Sequence, residues 1–104
     1  MAFRVLFTPL AAEQLRAVDR AVIADQCERM LSVNPTLESK ARVKRLRGNV
    51  FPPYRLRVGQ YRIFYTVDLD QETVMIYGVV SKAQAKAWVA AQSGGTTRED
   101  YEAT

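Results

Sequence analysis

Hydrophobic and polar positions alternate most cleanly from Tyr54 to Val67, YRLRVGQYRIFYTV. Alternation with period two sends successive side chains to opposite faces of a strand, so this stretch predicts a pair of strands. Gly59-Gln60 lies between them. Glycine at the first position of a two-residue type II′ turn takes a positive φ without steric cost. Such a turn sets Val58 opposite Tyr61, Arg57 opposite Arg62, Leu56 opposite Ile63 and Arg55 opposite Phe64. One face then carries Tyr54, Leu56, Val58, Tyr61, Ile63 and Tyr65. The other carries Arg55, Arg57 and Arg62 with Phe64 among them, and is expected to look outward or into a groove.

The same reasoning places the other elements. Phe3, Val5 and Phe7 alternate with Arg4 and Leu6, which predicts a first strand. Thr8-Pro9 is a helix start, with Thr as N-cap and Pro at the first helical position. The helix is expected to reach about Val18, with Ala11, Leu15 and Val18 on one face. Asp19 is read as the cap of a second helix, whose Ile23, Cys27, Met30 and Leu31 fall on one stripe. Asn34-Pro35 ends it, because proline cannot continue a helix. A loop over Pro35–Lys40 precedes a short strand within Ala41–Leu46, with Val43 and Arg45 on one side and Lys44 and Leu46 on the other. Gly48–Pro53 is a turn-rich connection. Asp68–Glu72 is a polar turn. Thr73–Val80, TVMIYGVV, is apolar on both faces and predicts an interior strand. Ser81 is expected to cap a last helix over Lys82–Ala91, with Ala85, Trp88 and Val89 facing inward. Residues 1–92 form one domain in this reading, and the polar stretch 93–104 is a flexible tail. The layout is α+β, β-α-α-β-β-β-β-α: a mainly antiparallel twisted sheet, two N-terminal helices on one face and a short C-terminal helix.

Charge changes the picture more than composition does. The chain of 104 residues has a formal net charge of +4. Eight of its fifteen Lys and Arg residues fall between Lys40 and Arg62, with no carboxylate among them. A local basic patch of this kind favours a nucleic acid or another acidic partner. Like charges directly opposite on a sheet cost roughly 0.2–1 kcal/mol. The opposed Arg57 and Arg62 are therefore better explained by a polyanion than by a solvated surface. No histidine is present, which removes the commonest acid/base group and the commonest transition-metal ligand together. No cofactor or metal is expected. The single cysteine, Cys27, excludes an internal disulfide and fits a reducing cytoplasm; its place on the helical stripe marks it as a core residue. No apolar run is long enough to span a membrane.

The segments KRLRG (Lys44–Gly48), YRLRVGQYRIFY (Tyr54–Tyr65) and MIYGVVSKAQAKAWV resemble the RelE/ParE superfamily of type II toxin–antitoxin toxins. The resemblance covers about residues 2 to 90 and implies a small RelE-like fold. It also implies an antitoxin protein as partner. For the RelE branch it implies a ribosome-dependent endoribonuclease that cuts mRNA. The family's hairpin cations fall on Arg55, Arg57 and Arg62. Its arginine after the closing strand falls on Lys82, and its helix tyrosine on Trp88. The family places lysines where this chain has Arg55 and Arg57.

RNA cleavage by its own 2′-hydroxyl needs alignment, charge stabilisation and proton transfer. Arginines serve the first two, since a guanidinium matches phosphate oxygens with paired donors. They stay protonated and serve the third poorly. Arg55, Arg57, Arg62 and Lys82 are thus the candidate catalytic residues, with Lys82 a candidate for acid/base work. Lys44, Arg45, Arg47 and Trp88 are the candidate RNA-binding residues, Trp88 by stacking on a base. Glu38 precedes the basic run and is a further carboxylate to place. Two alternatives stand beside this reading. One is a ParE-like toxin acting on DNA gyrase, which the missing acid/base groups favour. The other is a non-toxic homologue that retains the fold and binds an antitoxin.

Overall fold

The computed structural model describes residues 2–38, 42–48 and 50–92. The stretch 93–104, read from the sequence as a tail, lies outside the described residues. The elements are strand β1 (Arg4–Phe7), helices α1 (Pro9–Arg16) and α2 (Arg20–Leu31), strands β2 (Val43–Arg45), β3 (Tyr54–Val58), β4 (Tyr61–Asp68) and β5 (Thr73–Ser81), and helix α3 (Ala85–Gln92). A single 3-10 turn, Lys82–Gln84, joins β5 to α3.

The strands form one sheet in the order β1-β5-β4-β3-β2. After β1 the chain crosses one face as α1 and α2. It then starts at the far edge with β2 and returns strand by strand. The meander is antiparallel, and only β1 and β5 are parallel, Arg4 beside Thr73 through Phe7 beside Ile76. That return makes β5 an interior strand over its first half, as its two-sided apolar pattern predicts. Beyond the end of β1 the outer edge of β5 has no strand beside it among the described residues. Gln14 of α1 supplies the missing partner: its Oε1 accepts from the Val79 backbone N–H at 2.8 Å.

The hairpin has the predicted register, from Tyr54 beside Tyr65 to Val58 beside Tyr61, and Gly59 takes φ +57° at the turn. Thr8 caps α1 as predicted, its hydroxyl accepting from the Ala11 N–H at 3.1 Å, with Pro9 in the first turn. Three boundaries differ from expectation. Helix α1 stops at Arg16, and Val18 packs against the core from the connection. Helix α2 stops at Leu31, three residues before the Asn34-Pro35 signal, and Ser32 is its C-cap. Ser81 is the last residue of β5, and its side chain makes no cap bond.

The core lies on both sides of the sheet. The larger part joins Leu56, Val58, Ile63, Tyr65, Val74, Ile76 and Val79 to Ala11, Leu15, Ile23, Cys27 and Leu31 of the two helices. The smaller part lies on the other face, where α3 brings Ala85 and Val89 against Leu46, Val50, Phe64 and Val80. A break in register at Phe64/Tyr65 sets Phe64 beside Gly78 and Tyr65 beside Ile76, so Tyr77 is the extra residue of a β-bulge. The bulge brings Ile76 and Val79, three apart, onto the same core. No described helix is long and apolar enough to cross a membrane.

Candidate functional site

Most of the candidate strand residues fall on the sheet face opposite α1 and α2, here called the outer face; Arg45, paired with Tyr54, does not. Cross-strand register lines up Lys44, Arg55, Phe64 and Gly78 in one row. A second row holds Arg57, Arg62 and Val80. Period-two geometry therefore places Lys44, Arg55, Arg57 and Arg62 on one surface, as the sequence indicates.

Their environments differ. Arg57 is exposed and Lys44 half-buried. Arg55 is half-buried, and its Nε is out of contact with water and has no hydrogen-bond partner among the described residues. Arg62 departs from the expected outward placement. Only 7% of its surface is exposed, and its Nη1 donates to the Gly59 and Tyr61 carbonyls, each at 3.0 Å. Its guanidinium is folded back onto the hairpin turn, where satisfying two carbonyls offsets its burial. The opposed arginines thus relieve their repulsion by separating, one into the turn and one into solvent.

Lys82 is exposed just past β5, and its backbone N–H donates to the Gln60 carbonyl at 2.7 Å. That bond ties the lysine's backbone to the tip of the hairpin. Arg47 is exposed in the β2–β3 connection. Arg45 points away from Lys44, and its guanidinium lies 5.3 Å from the centre of the Tyr54 ring, a cation–π contact at the sheet edge. Glu38 does reach the basic run: its Oε1 accepts from the Arg45 backbone N–H at 3.0 Å, capping the edge of β2.

Trp88 is half-buried and stacks on Phe64, ring centres 5.2 Å apart and 19° from parallel. A Cβ on Gly78 would overlap the six-membered ring of the indole. Gly78 is therefore small so that the indole can lie flat on the sheet, and one face of Trp88 is committed to packing.

The tyrosines also divide. Tyr65 is fully buried on the inner face, and its hydroxyl donates to the Pro35 carbonyl at 2.6 Å. Burial, then the neighbouring Tyr54 and Cys27, raise its pKa well above the usual tyrosine range, with Arg55 pulling the other way. Burial, with a smaller push from Glu28, raises the Cys27 thiol to about 12. Neither group serves proton transfer on the outer face. Tyr77 stands on that face, half-buried and edge-on to Phe51 with ring centres 5.0 Å apart. Alternation alone gives Tyr77 no special place; the bulge does. Arg42 has no place in either row. It reaches Gln26 of α2, sixteen positions away, and no periodic signal links the two. Among the described residues no group of His, Cys, Asp or Glu is arranged to hold a metal ion.

Residues 5–86 match the model of the ParE toxin of type II toxin–antitoxin systems, parDE. No curated protein sequence matches significantly. Among solved structures the chain is similar to the RelBE2 toxin–antitoxin complex from Mycobacterium tuberculosis. That match has 26% identity and a TM-score of 0.65 over 80% of this chain and 94% of the other. A RelB–RelE antitoxin–toxin complex from Methanococcus jannaschii matches with 24% identity and a TM-score of 0.53, over 80% and 96% of the two chains. A RelE–RelB complex from Pyrococcus horikoshii matches with 19% identity and a TM-score of 0.50, over 81% and 99%. The two archaeal likenesses speak for the fold alone.

Proposed function

The chain belongs to the ParE toxin family of type II toxin–antitoxin systems, and we propose that it is the branch of such toxins that cuts mRNA on the ribosome. The observation that carries this reading is the state of the outer-face arginines. Arg55 has a buried Nε without a partner and sits directly opposite Lys44. Neither Arg55 nor Arg57 forms an ion pair among the described residues. A guanidinium held near a second cation, partly dehydrated and not neutralised, is destabilising unless an anion completes it. A phosphodiester does so with paired oxygens.

In this reading the 2′-hydroxyl attacks the adjacent phosphorus and the bond to the 5′-oxygen breaks. The products are a 2′,3′-cyclic phosphate and a 5′-hydroxyl. Arg55 and Arg57 hold the non-bridging oxygens and stabilise the charge that grows on them. Neither takes the proton lost by the 2′-hydroxyl. Lys82, exposed beside the hairpin tip, and Tyr77 are the side chains available to exchange one. Lys44 and Arg47 extend the surface for the strand, and Arg62 serves by fixing the turn that positions Arg57. An acidic antitoxin segment covers the same surface and silences it.

One observation favours the gyrase-directed alternative. Trp88, at the position of the nuclease family's helix tyrosine, has no hydroxyl and is stacked on Phe64. Inducing the chain without its partner and mapping transcript 5′ ends, with and without ribosomes, decides between them. The nuclease reading predicts cut transcripts and arrested translation that depend on the ribosome. Intact transcripts with DNA damage and filamentous cells overturn it.

A further inference from the structure

An open cleft of about 490 Å³ lies between α2 and the hairpin tip and meets the outer-face rows at Arg57. Val22 and Gln26 line it from α2, Arg57, Val58, Gly59 and Gln60 from the hairpin, and Arg42 from the approach to β2. No carboxylate is among the described lining residues. Its volume is within the range of sites that take a small ligand or one unit of a polymer.

Arg42 is held there from two directions. Its Nη2 donates to Gln26 Oε1 at 2.6 Å and its Nε to the Arg57 carbonyl at 3.2 Å. The Arg57 backbone N–H donates back to the Arg42 carbonyl at 2.8 Å, so the backbones of Arg42 and Arg57 are bound to each other. Both acceptors on the guanidinium are neutral. They fix its position without cancelling its charge. A guanidinium has five N–H donors, so three remain for a ligand. An arginine immobilised before binding loses less freedom when it binds, which is the condition for a preorganised anion site. Had the chain used Arg42 only to staple α2 to the sheet, a glutamate at position 26 would hold it more strongly.

We propose that this cleft is a phosphate-binding subsite for the RNA strand, with Arg42 as its anchor and Gln26 as the positioning residue. The inference rests on the RNA reading given above and extends it around the hairpin tip. Arg57 is the link, since it belongs to the outer-face row and also lines the cleft. The succession Lys44, Arg55, Arg57, Arg42 then forms one cationic path from the outer face to the α2 side. A chain of regularly repeating anions matches such a path better than a single acidic side chain does.

Two probes test it on the full chain. The first is inorganic phosphate, followed by NMR at the Arg42 Nε–H and the Gln26 side-chain amide. Saturable shifts at both are expected. Their absence overturns the subsite whatever the protein's activity. The second is a single-stranded 2′-O-methyl RNA, which has no free 2′-hydroxyl to react, with affinity measured against salt. Gln26→Glu gives Arg42 a counterion in place and so retains the fold. It is expected to abolish the phosphate shifts, weaken RNA binding about tenfold and lower the salt slope by about one. Arg42→Ala is expected to do the same. RNA affinity and slope unchanged in Gln26→Glu overturn RNA as the occupant. Phosphate bound at Arg42 by a wild-type chain that ignores RNA overturns the RNA reading of the whole surface. A glutamate-rich peptide that binds the wild type and is lost in Gln26→Glu then identifies an acidic protein segment instead.

Discussion

The two faces of this sheet are built from the same alternation and end in opposite conditions. On the inner face, α1 and α2 close over Leu56, Ile63, Tyr65, Val74 and Ile76, all fully buried. Its one deeply buried hydroxyl, on Tyr65, has a partner in the Pro35 carbonyl. On the outer face a single helix, α3, covers only the end near Phe64 and Val80. Beside that small cluster Arg55 keeps a buried Nε without a partner. Among the described residues no buried side-chain polar atom of the inner face lacks a partner, whereas the outer face holds one that does. On the proposed reading the outer face divides its surface between a small core under α3 and a patch kept for a ligand.

The largest effect that tests this division is on the outer face itself. Trp88→Ala removes the ring that stacks on Phe64 and covers Gly78. Half-buried aromatic truncation here is expected to cost about 2–3 kcal/mol, measured by urea denaturation. A loss near zero would mean that the ring is a platform for a base rather than part of the small core. Tyr65→Phe on the inner face comes next. It leaves the Pro35 carbonyl without its buried donor and is expected to cost about 1–2 kcal/mol. An unchanged midpoint would show that the inner face is not as fully satisfied as described.

The third test uses pH. The folded Cys27 thiol titrates near 12 and the unfolded one near 9. The folded state holds its proton more tightly between those values, so this contribution is complete below pH 9 and is lost as pH rises toward 12. Stability should therefore fall above pH 9, and Cys27→Ala should flatten that fall. At pH 8 the thiol should react with a disulfide reagent only after denaturation. Rapid reaction of the folded chain would place Cys27 outside the core. The smallest effect has the opposite sign. Arg55→Met keeps an apolar stem while removing the unpartnered Nε and the like charge facing Lys44. It is expected to stabilise by about 0.5 kcal/mol in thermal melts. Destabilisation would mean that Arg55 is a structural residue.

Much of this division is legible in the sequence. The hairpin register follows from Gly59 and the alternation around it, because a one-residue slip would reverse both faces. Thr8-Pro9 and the Ile23–Cys27–Leu31 stripe are equally direct. What the sequence hides depends on the closed tertiary structure. Arg62 looks like its neighbours Arg55 and Arg57, yet the turn carbonyls that capture it are visible only once the hairpin is closed. The bulge at Tyr77 is silent because β5 is apolar on both faces, so no alternation is broken in the letters. Arg42 and Gln26 meet across sixteen positions, and nothing local records that contact.

The central claim is that the outer-face arginines are retained for a ligand and not for the fold. Growth of cells induced for the doubly substituted chain, Arg55→Met with Arg57→Ala, tests it most directly, using protein shown by its melt to be folded. Normal growth is expected where the wild-type chain arrests it. Arrest as complete as that of the wild type would contradict it.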